Sequence, residues 1–118
     1  MNKVCIEKSM KECLFDAFKN NAIITSDGLG TTEYIHVCNH KAYYEDGGCL
    51  GTFSETNEFL NTQDWTHNHK WFVIGYLTEE EVKAIETIRK NPRIYESCYR
   101  YEKELNNILH IEVDEKEL

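Results

Sequence analysis

The chain of 118 residues carries 21 Asp and Glu against 13 Lys and Arg, a net charge of −8. That balance argues against nucleic acid as a direct ligand, because phosphate contacts need Lys and Arg to displace condensed counterions. It favours a basic protein partner instead, since opposed fields speed encounter and suppress wrong pairings.

Apolar residues at 41% and aromatics at 12% place the chain among folded proteins, and its length predicts one domain, residues 1–118, able to bury its own core. The cysteines, Cys5, Cys13, Cys38, Cys49 and Cys98, are odd in number and include no C-x-x-C pair, so neither a zinc knuckle nor a thioredoxin motif is written here. Met1 to Glu7 is mixed polar, without the apolar stretch of a signal peptide, and thiols without such a signal predict a reducing cytosol. The longest apolar run, Trp71 to Leu77, is too short to cross a bilayer, which predicts no membrane partner.

In chain order, Ile6, Met10, Cys13, Leu14, Ala17 and Phe18 recur at helical spacing and predict a first helix from about Ile6. Asn20 and Asn21 are its stop signal, as Asn tolerates the left-handed conformation of a helix C-terminus. Five of the six glycines fall between Gly28 and Gly51, marking a turn-rich middle third. Ala22 to Thr25 predicts a strand closed by Asp27–Gly28. Thr31 to Cys38 predicts another, with Ile35 and Val37 on one face and Tyr34, His36 and Cys38 on the other. Asn39–His40 turns the chain into Lys41 to Glu45, and Asp46–Gly47–Gly48 turns it again into Cys49 to Phe53.

Ser54 is the expected N-cap of a short helix, Glu55 to Asn61, that buries Phe59 and Leu60. His69 to Leu77 is the strongest strand, expected in the middle of the sheet, with Trp71 and Val73 on one face and Phe72, Ile74 and Tyr76 on the other. Thr78 and Glu81 form a T-x-x-E capping box, with Leu77 and Val82 as the hydrophobic staple and Val82, Ile85 and Ile88 as the buried stripe. Asn91–Pro92 ends that helix and starts the next. In the last helix Ile94, Cys98, Tyr101, Leu105 and Ile108 repeat as a heptad seam, which predicts burial of Ile94, Cys98, Leu105 and Ile108 within the chain or in a homodimer. An acidic tail follows from about residue 110, where Ile111 and Val113 offer an edge strand. The expected fold is α+β: an antiparallel meander of about four to five strands with an N-terminal helix and two C-terminal helices.

Three chemistries compete for the remaining signals. His36, Cys38, His67 and His69 lie on or beside predicted strands, where two pairs at i and i+2 suffice for a tetrahedral zinc site, although none of the established zinc spacings is present. Half-buried sheet residues explain the same letters more simply. A Cys38 or Cys49 nucleophile with His67 and Asp64 is a second possibility, but no glycine-flanked elbow activates either thiol. Ser26 to Thr32 has the small residues of a phosphate-binding turn, yet contains no Lys and reads as a hairpin turn.

The third chemistry is protein binding. Tyr43 and Tyr44 in the meander, and Tyr95 and Tyr99 off the last helix's seam, are candidate interface anchors. Glu112, Asp114, Glu115 and Glu117 supply a negative patch suited to a basic groove, and Glu79–Glu80–Glu81 and Glu45–Asp46 are further acidic groups. The expectation is a non-enzymatic, cofactor-free inhibitor that occludes a basic nucleic-acid-binding enzyme, by class analogy with phage inhibitors of bacterial defence nucleases and with toxin immunity proteins.

Overall fold

A computed structural model of the chain describes residues 1–30, 32–95 and 97–110, except for the side chain of Tyr95. The fold is α+β, with six strands among the described residues rather than four or five. The strands are β1 (Asn2–Lys8), β2 (Ala22–Ser26), β3 (Ile35–Cys38), β4 (Lys41–Tyr44), β5 (Cys49–Gly51) and β6 (Trp71–Tyr76). They lie in the order β1-β6-β2-β3-β4-β5, and every pairing is antiparallel. Helices α1 (Met10–Asn20), α2 (Phe53–Asn61), α3 (Glu79–Lys90), α4 (Pro92–Tyr95) and α5 (Cys98–Leu109) complete it, with a 3₁₀ turn over Asp64–His67.

The inner strands of the sheet are covered on both faces, whereas the edge strand β1 is exposed. One core joins Cys13, Leu14 and Ala17 of α1 and Leu60 of α2 to Ile24, Ile35, Val37, Trp71 and Val73. The other joins Ile85 and Ile88 of α3 and Tyr101, Leu105 and Leu109 of α5 to Ile23, Tyr34, Cys38 and Tyr43. The alternation read along Tyr34–Cys38 is what divides these side chains between the two cores. Each fully buried aliphatic side chain contributes roughly 1.5–3 kcal/mol.

The first helix begins later than its periodicity predicts. Ser9 caps it, its hydroxyl accepting from the N–H of Glu12, and Asn2–Lys8 instead pairs with β6. Ile6 therefore stands 40% exposed on an edge strand rather than in a helical stripe. The stop is as expected: Asn21 adopts φ 54° and its N–H returns to the carbonyl of Asp16.

In β6 the strand alternation breaks. Between Ile23–Gly75 and Ile24–Val73 the register slips by one residue, a β-bulge at Ile74. The bulge moves Tyr76 onto the same face as Trp71 and Val73, where its hydroxyl donates to Asp16 of α1, correcting the placement expected from period two. β6 itself lies between β1 and β2, one strand in from the edge rather than in the middle of the sheet.

Thr52, not Ser54, caps α2. Its hydroxyl accepts from Glu55 N–H while Glu55 accepts from Thr52 N–H, a T-x-x-E box two residues before the expected cap. With that phase Thr56 and Leu60 are buried and Phe59 is 44% exposed. The box of Thr78 and Glu81 is present as read, and Glu81 also receives the Met1 ammonium at 2.6 Å. Ile85 and Ile88 are buried, whereas Val82 is half-buried.

The final helical stretch is broken in two. Asn91 caps the short α4 through Arg93 N–H, and Ser97 caps α5 by accepting from Arg100 N–H. The break resets the helical phase, so Tyr101, Leu105 and Leu109 are buried, Ile94 and Ile108 are half-buried and Cys98 is exposed. The heptad seam is thus corrected, and its buried positions pack against the sheet of their own chain. The tail positions Ile111 and Val113 lie outside the described residues.

Candidate functional site

The sequence-predicted ligands do not converge. His36 is fully buried on β3, with Nε2 2.9 Å from the Tyr101 hydroxyl. Burial first, and the charge of Arg89 second, push its pKa down to about 3, so the ring is neutral near pH 7. Cys38 is buried on the same face, and burial raises its thiol pKa, the opposite of what a nucleophile needs. His67 pairs through Nε2 with the carbonyl of Asn61, and His69 through Nδ1 with Asp27 at 3.1 Å. Among the described residues no group of three His, Cys, Asp or Glu side chains is arranged to hold a metal. The zinc alternative at His36, Cys38, His67 and His69 is not assembled, since two of these are sealed in one core and two cap loops elsewhere. Cys49 is exposed at the edge strand β5.

The candidate anchors also separate. Tyr43 is 7% exposed and lies under the guanidinium of Arg89, 3.9 Å from its ring centre, so it belongs to the core rather than to an interface. Tyr99 stands 76% exposed on α5, as an anchor requires. Tyr44 is half-buried. The Tyr95 side chain and Glu112, Asp114, Glu115 and Glu117 lie outside the described residues.

What the fold does assemble is an acidic cleft at the end of the sheet where β2 leaves, β3 begins and β4 ends. It has a volume of about 350 Å³ and is lined by Gly28, Glu33, Tyr44, Glu45, Asp46 and Trp65 among others. Local hydrogen bonds set each carboxylate. Glu33 accepts from the N–H of Gly30 at 3.1 Å, closing the β2–β3 loop, and Thr25 donates its hydroxyl to the Glu33 carbonyl. Across the cleft the β4–β5 turn is closed by Gly47 N–H to the Tyr44 carbonyl and by Tyr44 N–H to the Gly48 carbonyl. Gly47 sits at φ +90°, which favours glycine, and Asp46 accepts from Gly48 N–H at 2.9 Å.

Glu45 is the unusual member. It is only 7% exposed, and one carboxylate oxygen accepts from Asp46 N–H at 3.1 Å. Burial, followed by the negative charges of Asp46 and Glu33, pushes its pKa up to about 7. A carboxyl held there gains from a cation placed beside it, because the cation offsets both burial and repulsion. The aromatic wall is fixed by close packing. Trp65 stacks on Trp71 with ring centres 5.8 Å apart, and Gly28 lies so near that a Cβ there would meet Trp65 at 2.6 Å.

The pair Glu45–Asp46 is visible in the sequence as a local acidic group. Glu33 and Trp65 carry no signal that joins them to it, because the loop and the 3₁₀ turn meet the hairpin only in three dimensions.

The molecule is therefore an α+β protein with helices on both faces of an antiparallel sheet and an acidic, aromatic-walled cleft at one end of that sheet. No protein-family model, no curated protein and no solved structure matches the chain. Among the described residues no helix is long and apolar enough to cross a membrane.

Proposed function

We propose that this protein is a non-enzymatic, cytosolic binding module that docks on a basic protein and inhibits it by occlusion, the acidic cleft receiving a Lys or Arg side chain. The observation that carries this reading is Glu45, a carboxyl buried beside Asp46 and Glu33 with Tyr44 and Trp65 lining the same cleft. Carboxylates supply charge-assisted hydrogen bonds to a guanidinium or ammonium, and aromatic faces stabilise the same cation. The net charge of −8, to which Glu112, Asp114, Glu115 and Glu117 contribute, draws a basic surface in from a distance. Exposed Tyr99 is a second contact on this reading. A basic surface that binds nucleic acid is the kind of target such a field would mask, by competition for the same cationic groups.

The test is capture from the native host with the wild-type protein and with the Glu45→Gln/Asp46→Asn variant in parallel. The partner is expected on the wild type only, to elute with added salt, and to lose nucleic-acid binding when the protein is present. Equal capture by both forms, or salt-independent capture, overturns the cleft as the docking site. Turnover of a substrate by the isolated protein, lost on changing Cys38, Cys49 or His67, overturns the non-enzymatic reading.

A further inference from the structure

We infer that the free edge of β1 is a dimerisation surface for a second copy of this chain, paired antiparallel about Cys5. β1 is seven residues long and bonds β6 on one side, and among the described residues no strand covers its other side. Residues Asn2 to Glu7 are all exposed, and Val4 at 37% and Ile6 at 40% are two of the few large apolar side chains left in solvent. An exposed edge with unpaired N–H and C=O groups is a template for another strand, and proteins commonly protect such edges with bulges, proline or inward charge. β1 holds no proline, and the one such device it carries, a register slip against β6 between Lys3 and Ile6, leaves its side-chain alternation unbroken. The register puts Lys8 on the α1 side, where it pairs with Asp16, and Lys3 on the α5 side, where it donates to the His110 carbonyl.

The sequence of the strand reads as a charge palindrome: Lys3-Val4-Cys5-Ile6-Glu7. A two-fold axis through Cys5 sets Lys3 opposite Glu7 of the partner subunit, Val4 opposite the partner's Ile6, and Cys5 opposite the partner's Cys5. Symmetry repeats each unlike pair, so the contact gains two opposite-charge pairs and two apolar pairs at once. Shifting the register by one residue in either direction loses this match. One shift sets Lys3 against the partner's Ile6, and the other sets it against the partner's Lys8. A one-residue slip also changes the face each side chain occupies, so the charge and apolar matches both select the pairing about Cys5. The result is one continuous sheet of twelve strands with the acidic clefts on separate subunits.

Sedimentation over a concentration series tests this with the full chain. The wild type is expected to shift from monomer to dimer. Lys3→Glu and Glu7→Lys each place like charges opposite one another, and each is expected to raise the dimer dissociation constant by about tenfold. The double variant Lys3→Glu/Glu7→Lys restores unlike pairs and is expected to recover wild-type affinity, a rescue that no surface elsewhere produces. These side chains are exposed, so unchanged melting temperatures confirm that the fold is intact. With Cys49 and Cys98 replaced by Ser, a short bis-maleimide is expected to join Cys5 to the partner's Cys5.

A monomer at every concentration, or a dimer indifferent to both charge reversals, overturns the proposal. So does a chain that dimerises only after removal of residues 111–118, since that assigns the edge to the chain's own tail.

Discussion

The hydroxyl of Tyr101, on α5, lies 2.9 Å from Nε2 of His36, in the middle of β3. Both residues are fully buried, and the bond fastens the last helix to the centre of the sheet. Nδ1 of the same ring has no hydrogen-bond partner, and it is the one buried side-chain nitrogen or oxygen so placed among the described residues. A bare lone pair is less costly than an orphaned N–H. The favoured tautomer therefore has Nε2–H donating to the Tyr101 oxygen, with Nδ1 unprotonated.

Tyr101→Phe leaves both ring nitrogens of His36 unsatisfied and is expected to cost about 1–3 kcal/mol. Replacing both partners, His36→Leu with Tyr101→Phe, is expected to cost less than the sum of the single changes. Chemical denaturation of the four proteins in a double-mutant cycle measures that coupling.

Acid should unfold the protein through the same ring. His36 titrates near 3 when folded against 6.5 for the free side chain, so between these values the unfolded chain binds the extra proton. The contribution is complete above pH 6.5 and falls as pH drops toward 3, by at most about 1.4 kcal/mol per pH unit. Removing the imidazole with His36→Leu is expected to flatten the stability profile over that window. An unaltered acid limb would show that His36 is not the titrating group.

Glu45 acts in the opposite sense. Its pKa of about 7 when folded exceeds the free value of 4.5, so its contribution is complete below pH 4.5 and is lost as pH rises through 7. Glu45→Gln removes the ionisation and is expected to raise stability at pH 8, by on the order of 1–3 kcal/mol, with little change at pH 4.5. Thermal melts of the two proteins at both pH values decide it.

At Gly28 the added methyl of alanine would meet Trp65 at 2.6 Å and the His69 ring at 2.9 Å. Gly28→Ala is expected to cost about 1–3 kcal/mol as the rings move, and to change tryptophan fluorescence because the Trp65–Trp71 stack is disturbed. Retained stability and an unshifted spectrum would show that the aromatic wall is not set by Gly28.

The two capping boxes allow a matched comparison. Thr78→Ala and Thr52→Ala each remove an acceptor for a helix N–H and are expected to cost about 1 kcal/mol, whereas Ser54→Ala, inside the first turn of α2, stays within roughly 0.5 kcal/mol. Denaturation midpoints for the three variants separate the true cap from the neighbouring serine.

What the sequence alone determined about this protein is whatever depends on neighbours along the chain. The Thr78–Glu81 box, the Asn21 stop, the Asn39–His40 turn with both residues at positive φ, and the two-faced alternation of Tyr34 to Cys38 all rest on contacts within a few residues. The acidic balance that motivates a basic partner is equally a property of the chain. Tertiary structure alone decided which of two competing local signals won. Ile6 matched a helical period by coincidence, and the pairing of Asn2–Lys8 with β6 made it a strand residue. The bulge at Ile74 turned Tyr76 to the other face because strands on either side demanded different residue counts. The break at Ser97 rephased α5 and buried Leu109 in place of Cys98. The acidic cleft belongs to this second group. Glu33, Glu45 and Trp65 are brought together by sheet order, and charges that meet only through folding leave no periodic or spacing signal for a linear reading to find.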